Sequence, residues 1–158
     1  MDNYNRTRGS VYMLTYHMIF VTKWRKKAIS AEVGDFMKEV AEHLFKGYGG
    51  RLISAETDGD HMHILAELPP QACVSSVIRN LKGQLSREVH LHPVYGPYVK
   101  RFLYGDAPLW SSSYFVATAG SVSLETVKNY IESQRTDEHK RKYDKRSRYW
   151  EGKGKPRS

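Results

Sequence analysis

Residues 51–68 read RLISAETDGDHMHILAEL. Two apolar runs, Arg51–Glu56 and His61–Leu68, flank Thr57-Asp58-Gly59-Asp60, and Asp-Gly between such runs is a strong hairpin signal. Pro69 and Pro70 stop the second strand. Upstream, Val11–Thr22 is rich in β-branched and aromatic residues and reads as one long, buried strand. Between it and the hairpin, Ser30 is placed to cap a helix that carries Val33, Phe36, Met37, Val40, Ala41 and Leu44. Gly47, Gly49 and Gly50 close that helix. Downstream, Val74, Val77, Ile78, Leu81 and Leu85 trace a second amphipathic helix. Pro93, Gly96, Pro97, Gly105 and Pro108 exclude a long element over 91–110. Tyr114–Ala119 is a fourth strand, ended by Gly120. Ser123 caps a third helix, with Glu125 in its first turn and Leu124, Val127 and Ile131 as its apolar stripe. The order β-α-β-β-α-β followed by a helix predicts an α+β, ferredoxin-like (split βαβ, RRM-like) fold. Its antiparallel sheet carries helices on one face, with the C-terminal helix added. That architecture hosts many functions and decides none of them.

The chain has 158 residues, 40% apolar and 12% aromatic, which suits one domain with a real core. Its single cysteine, Cys73, cannot form an internal disulfide, so a reducing compartment is expected. No run approaches about 20 apolar residues, the length of a membrane helix. The polar Met1–Ser10 followed by a Tyr-, Thr- and His-bearing run does not read as a signal peptide. A cytoplasmic location is the expectation. The net charge is +8, and residues 135–158 hold ten Lys/Arg against four Asp/Glu. Six of the eight net charges therefore sit in a terminal segment poor in large apolar residues. A second basic cluster, Lys23, Arg25, Lys26 and Lys27, interleaves Trp24. Both suit a phosphate backbone, although each alone also fits a solvated surface. The chain divides into a polar N-terminal segment (1–10), a core domain (11–135) and a basic tail (136–158).

Two constellations carry chemistry. In a strand, side chains alternate, so His61 and His63 share a face while Met62 and Ile64 take the other. Two imidazoles so placed can ligate one divalent metal, although seven histidines would produce a His-x-His by chance roughly a third of the time. On the last helix, Tyr130 and Gln134 form an i, i+4 pair at the edge of the apolar stripe, with Asn129, Glu132 and Ser133 on the solvated face. A tyrosine completing the core is the plainer account of that pair taken alone.

Together, the pieces resemble the single-tyrosine HUH (His-hydrophobic-His) transposases of insertion sequences that move as single-stranded DNA. The resemblance runs from about Tyr16 to Gln134. It rests on HMIFVTKWR (17–25), GDHMHIL (59–65), LKG (81–83) with Ser86-Arg87, Leu109-Trp110, YFVAT (114–118) and the Tyr130/Gln134 pair. It implies a catalytic domain in which Tyr130 is the nucleophile. It also implies that His61, His63 and Gln134 hold a divalent metal, Mg²⁺ or Mn²⁺. The reaction it implies is cleavage and rejoining of single-stranded DNA at hairpin-forming ends through a 5′-phosphotyrosine. It further implies a homodimer whose active sites are shared, each tyrosine working with the partner's histidines.

The chemistry needs such residues, because a phosphodiester is anionic and attack on it requires charge neutralisation at its nonbridging oxygens. A phenol of pKa about 10 must also be made easier to ionise. Lys23, Arg25, Lys26, Lys27, Lys82 and Arg87 are the expected DNA contacts. Asp60 suits the turn better than a role behind the metal ligands, and His17 fits packing within the sheet as well as the site. Glu56 and Asp58 are weak additions to the metal shell. His90 and His92, before Pro93, repeat the His-x-His spacing without a strand to align them. The competing readings are a non-catalytic ferredoxin-like nucleic-acid-binding module and a domesticated HUH nickase.

Overall fold

The computed structural model describes residues 4–104, 107–119 and 129–133. Strands β1 (Asn5–Thr7) and β2 (Ser10–Tyr12) form a small hairpin of their own. The main sheet takes β3 (Thr15–Val21), β4 (Arg51–Asp58), β5 (His61–Glu67) and β6 (Phe115–Thr118) in the order β4-β5-β3-β6, every pairing antiparallel. Helices α1 (Ala31–Gly47), α2 (Val74–Leu91) and the short α3 (Tyr95–Lys100) complete the described elements. The β-α-β-β-α-β succession and the α+β class match the reading of the sequence.

Burial follows the alternation. On β5, Met62, Ile64 and Ala66 are fully buried, and with Met18 and Phe20 of β3 they face Val33, Met37, Ala41 and Phe45 of α1. Ile78, Leu81, Leu85 and Val89 of α2 close the same core. Each Val, Leu, Ile, Met or Phe among them contributes about 1.5–3 kcal/mol by leaving water. Helix α1 starts where expected, with Ser30 Oγ accepting from the Val33 amide at 3.2 Å. It also approaches β4 closely, since a Cβ at Gly34 would overlap the Thr57 hydroxyl.

Two boundaries differ from the sequence reading. The run expected as one strand over Val11–Thr22 is two, because Thr7 pairs with Ser10 around Arg8-Gly9 and the chain breaks at Met13-Leu14 before entering the sheet. Val11 and Met13 are exposed, which a buried central strand does not allow. The β4–β5 turn is also tighter than four residues: Asp58 pairs with His61, leaving Gly59-Asp60 as the loop, with Gly59 at φ 58°. The third helix is helical over 129–133. Ser123, Leu124, Glu125, Val127, Gln134 and the basic tail lie outside the described residues. Among the described residues, no helix is long and apolar enough to cross a membrane.

Candidate active site

The face of the sheet away from α1 and α2 is where the candidate residues meet. His61 and His63 are half-buried on that face, as alternation requires. Register places Glu56, His63, Ile19 and Phe115 in one row across all four strands. Asp58, His61 and Val21 form the next row. At about 4.8 Å per strand, Phe115 lies roughly 10 Å from His63. Over Phe115 sits Tyr130, the ring centroids 5.3 Å apart. Arg25 adds a second tether, its guanidinium donating to the Ile131 carbonyl at 3.4 Å. Within 129–133, Tyr130 and Ile131 are half-buried while Asn129, Glu132 and Ser133 are exposed, as the helical stripe predicts.

Each histidine has a partner that orients it. His61 Nδ1 lies 2.9 Å from Asp60 Oδ1, an arrangement that leaves Nε2 for a ligand. Asp60 Oδ2 accepts from Arg25 Nε at 3.1 Å, and a second guanidinium nitrogen of Arg25 lies at the same distance. Asp60 is 4% exposed. Burial alone would raise its pKa, but the His61 hydrogen bond and the Arg25 charge outweigh that, so the carboxyl sits below its ordinary value. Asp60 holds the turn, as expected, and also bonds His61. His63 Nε2 lies 2.9 Å from His17 Nδ1, the two rings being tilted against each other. Burial first, then the charges His17 and His61 would carry, lower the His63 pKa, while Glu56 opposes them. The result favours the neutral imidazole, the form that ligates metal.

A divalent ion on this strand face would find two imidazole nitrogens, His61 being held from behind by a carboxylate. A metal held through His63 Nε2 would replace its contact with His17. Among the described residues, no group of three or more His, Cys, Asp or Glu side chains could hold a metal ion. A third protein ligand would have to come from elsewhere, and Gln134 lies outside the described residues. Glu56 and Asp58 stand beside His63 and His61 on β4. His90 and His92 go separate ways: His90 bonds the Ser86 carbonyl, and His92 Nδ1 accepts from the Val94 and Tyr95 amides at the start of α3.

The basic loop is pinned to the histidine turn. The Thr22 amide donates to Asp60 O at 2.8 Å and the Ile29 amide to Gly59 O at 2.9 Å. Between these anchors Trp24 and Arg25 take positive φ of 57° and 48°, a conformation uncommon for such residues and held here by the surrounding bonds. Trp24 packs edge-on against exposed Tyr104 at 5.2 Å, with Lys23 over Trp24 and Lys26 over Tyr104. Lys27 is exposed beside Gly59. Two expected DNA contacts have other engagements. Arg25 is bound to Asp60, and Lys82 Nζ donates to the Ser111 and Ser113 carbonyls at 2.7 and 3.0 Å. Burial pulls the Lys82 pKa down to about 8. Arg87 is exposed on α2.

The profile of the family described as Transposase IS200 like matches residues 10–134. The ISDra2 transposase TnpA of Deinococcus radiodurans is 33% identical over 131 residues, 83% of this chain and 91% of that protein. The transposase for insertion sequence element IS200 of Salmonella typhimurium is 31% identical over 119 residues, 75% of each. A crystal structure described as that of a transposase from Deinococcus radiodurans R1 superposes with a TM-score of 0.73 and 31% identity. It covers 82% of this chain and 97% of that one.

Proposed function

The chain belongs to the IS200-like transposase family, and from that premise we propose that it cleaves and rejoins single-stranded DNA with Tyr130 as nucleophile. The observation that carries the proposal is the common row: Tyr130 stands over Phe115, and Phe115 shares its row with His63. In this reading His61, His63 and Gln134 hold Mg²⁺ or Mn²⁺, which when bound neutralises the nonbridging phosphate oxygens. Tyr130 Oη attacks phosphorus and gives up its proton, and the bond from phosphorus to the 3′ oxygen breaks. That oxygen takes a proton and leaves as a 3′-hydroxyl. The 5′-phosphotyrosine keeps the energy of the broken bond, so a second 3′-hydroxyl restores a phosphodiester and frees the phenol. Asp60 orients His61, and Arg25 neutralises the buried Asp60 carboxylate. Lys23, Lys26 and Lys27, with Trp24 and Tyr104 among them, offer phosphate contacts and stacking surfaces to an unpaired strand.

We carry the homodimer as part of this reading, because excision requires two cleavages held together. The 129–133 segment touches its own chain's Phe115 and Arg25, so shared and unshared sites call for a direct comparison. Mixing Tyr130→Phe with His61→Ala protein restores adduct formation only if sites are shared. Restored adducts attach to the His61→Ala chain alone. The basic experiment is incubation with single-stranded oligonucleotides carrying hairpin-forming ends, with Mg²⁺ or Mn²⁺. A denaturation-resistant protein–DNA adduct is expected. Binding without an adduct would leave a nucleic-acid-binding module instead.

A further inference from the structure

An open pocket of about 480 Å³ lies between α2 and residues 107–111, within the range of small-ligand sites. Lys82, Arg87 and His90 line it from α2, and Pro108 and Trp110 line it from the facing segment. Among the described residues, no carboxylate lines it. His90 Nδ1 donates to the Ser86 carbonyl at 2.7 Å, so Nε2 is the ring nitrogen left for a ligand. That Nε2 is buried without a hydrogen-bond partner among the described residues, and so is the Nε1–H donor of Trp110. Trp110 is 4% exposed. Buried polar atoms are nearly always paired, so two unpaired ones in the lining of one basic pocket call for an explanation.

We propose that this pocket takes one unpaired nucleotide of the DNA strand. Its base edge lies between His90 Nε2 and Trp110 Nε1–H, and its phosphate lies on Arg87. Every nucleobase carries an acceptor beside a donor on one edge, which matches one donor and one acceptor in the wall. Exposed Pro108 supplies apolar surface for the base, and the pocket's open side lets a strand continue on both sides of it. Side-chain shifts on binding uncover the two nitrogens, whose burial in the free protein is otherwise uncompensated. The inference rests on the proposed function, which supplies the single strand.

The test measures binding of full-length protein to a labelled oligonucleotide of about 20 thymidines. A matching strand of abasic phosphates serves as the second probe. Trp110→Phe removes the N–H together with the pyrrole half of the indole and keeps an aromatic ring at the site. It should weaken thymidine-strand binding roughly tenfold, the order expected for one buried hydrogen bond. It should leave binding to the abasic strand unchanged, because the lower thermal midpoint expected of a smaller ring at a buried site acts on both strands alike. Unchanged thymidine-strand binding, or an equal loss on both strands, overturns the inference. Arg87→Ala, at an exposed position, should lower the salt slope by about one phosphate, and an unchanged slope counts against it. Displacement of the strand by deoxynucleoside monophosphates at equal affinity would assign the pocket to free nucleotides and overturn the strand assignment. An adduct at Tyr130 with unaltered Trp110→Phe binding defeats the pocket alone. No adduct in wild type, with the Trp110→Phe loss present, defeats the proposed chemistry alone.

Discussion

The two faces of the four-stranded sheet are made by alternate residues of the same strands, yet different forces assemble them. On β5, Met62, Ile64 and Ala66 are sealed against α1 and α2, where any apolar side chain of similar volume would serve. One residue away, His61, His63 and their partners Asp60 and His17 are held by hydrogen bonds with particular atoms and angles. The first face tolerates exchange and supplies stability. The second depends on identity and is the surface that carries Tyr130. A single alternation thus separates folding from chemistry, and substitutions on the two sides should separate the same way.

The largest expected effect falls on the polar side. His61→Ala or His63→Ala should reduce adduct formation below detection, a loss of more than about a thousandfold in rate for a metal-assisted step. Thermal stability should change little, since both side chains are half-buried outside the core cluster. Retained adducts in the presence of EDTA would break the comparison at its root. Next, Phe45→Ala, on the apolar side, should cost about 3–5 kcal/mol in chemical denaturation. The surviving folded fraction should still form adducts at a normal rate, and a selective loss of activity would show that the faces are coupled.

A smaller effect belongs to Asp60→Asn, which keeps the shape but removes the charge behind His61. Metal affinity, read by titration, should fall roughly 10–100-fold. Because the native carboxyl has a depressed pKa, its contribution to stability is complete above the ordinary carboxylate range. That contribution disappears as pH falls through the depressed value. The wild-type advantage over Asp60→Asn should therefore hold at neutral pH and shrink under acid. Ser30→Ala, remote from both faces, should cost about 1 kcal/mol through the lost cap and leave adduct formation unchanged.

What the sequence made legible divides along similar lines. The Ser30 cap and the apolar stripes of α1 and α2 depend on neighbours within a few residues, and each appears where expected; Asp-Gly marks the hairpin, but the loop is two residues shorter than read. The shared face of His61 and His63 follows from strand alternation alone. The break at Met13-Leu14 escaped because β-branched and aromatic residues run through it without a glycine or proline. Arg25 was read as a phosphate contact because nothing local links it to Asp60, 35 residues away. Lys82 was read likewise, its carbonyl partners lying 29 and 31 residues downstream. His17 becomes a partner of His63 only through pairing of β3 with β5. Asp60 carried a signal, being an acid adjacent to a candidate ligand, but its fitness for a turn concealed it.

The central claim is that Tyr130 becomes covalently joined to DNA. The most direct measurement is peptide mass spectrometry of the adduct formed by wild-type protein with hairpin-bearing single-stranded DNA and Mg²⁺ or Mn²⁺, run beside Tyr130→Phe. The account predicts a nucleotide remnant on the peptide containing Tyr130, and no adduct in Tyr130→Phe, whose ring still packs on Phe115. A remnant on another tyrosine, or an adduct of normal yield in Tyr130→Phe, would contradict it.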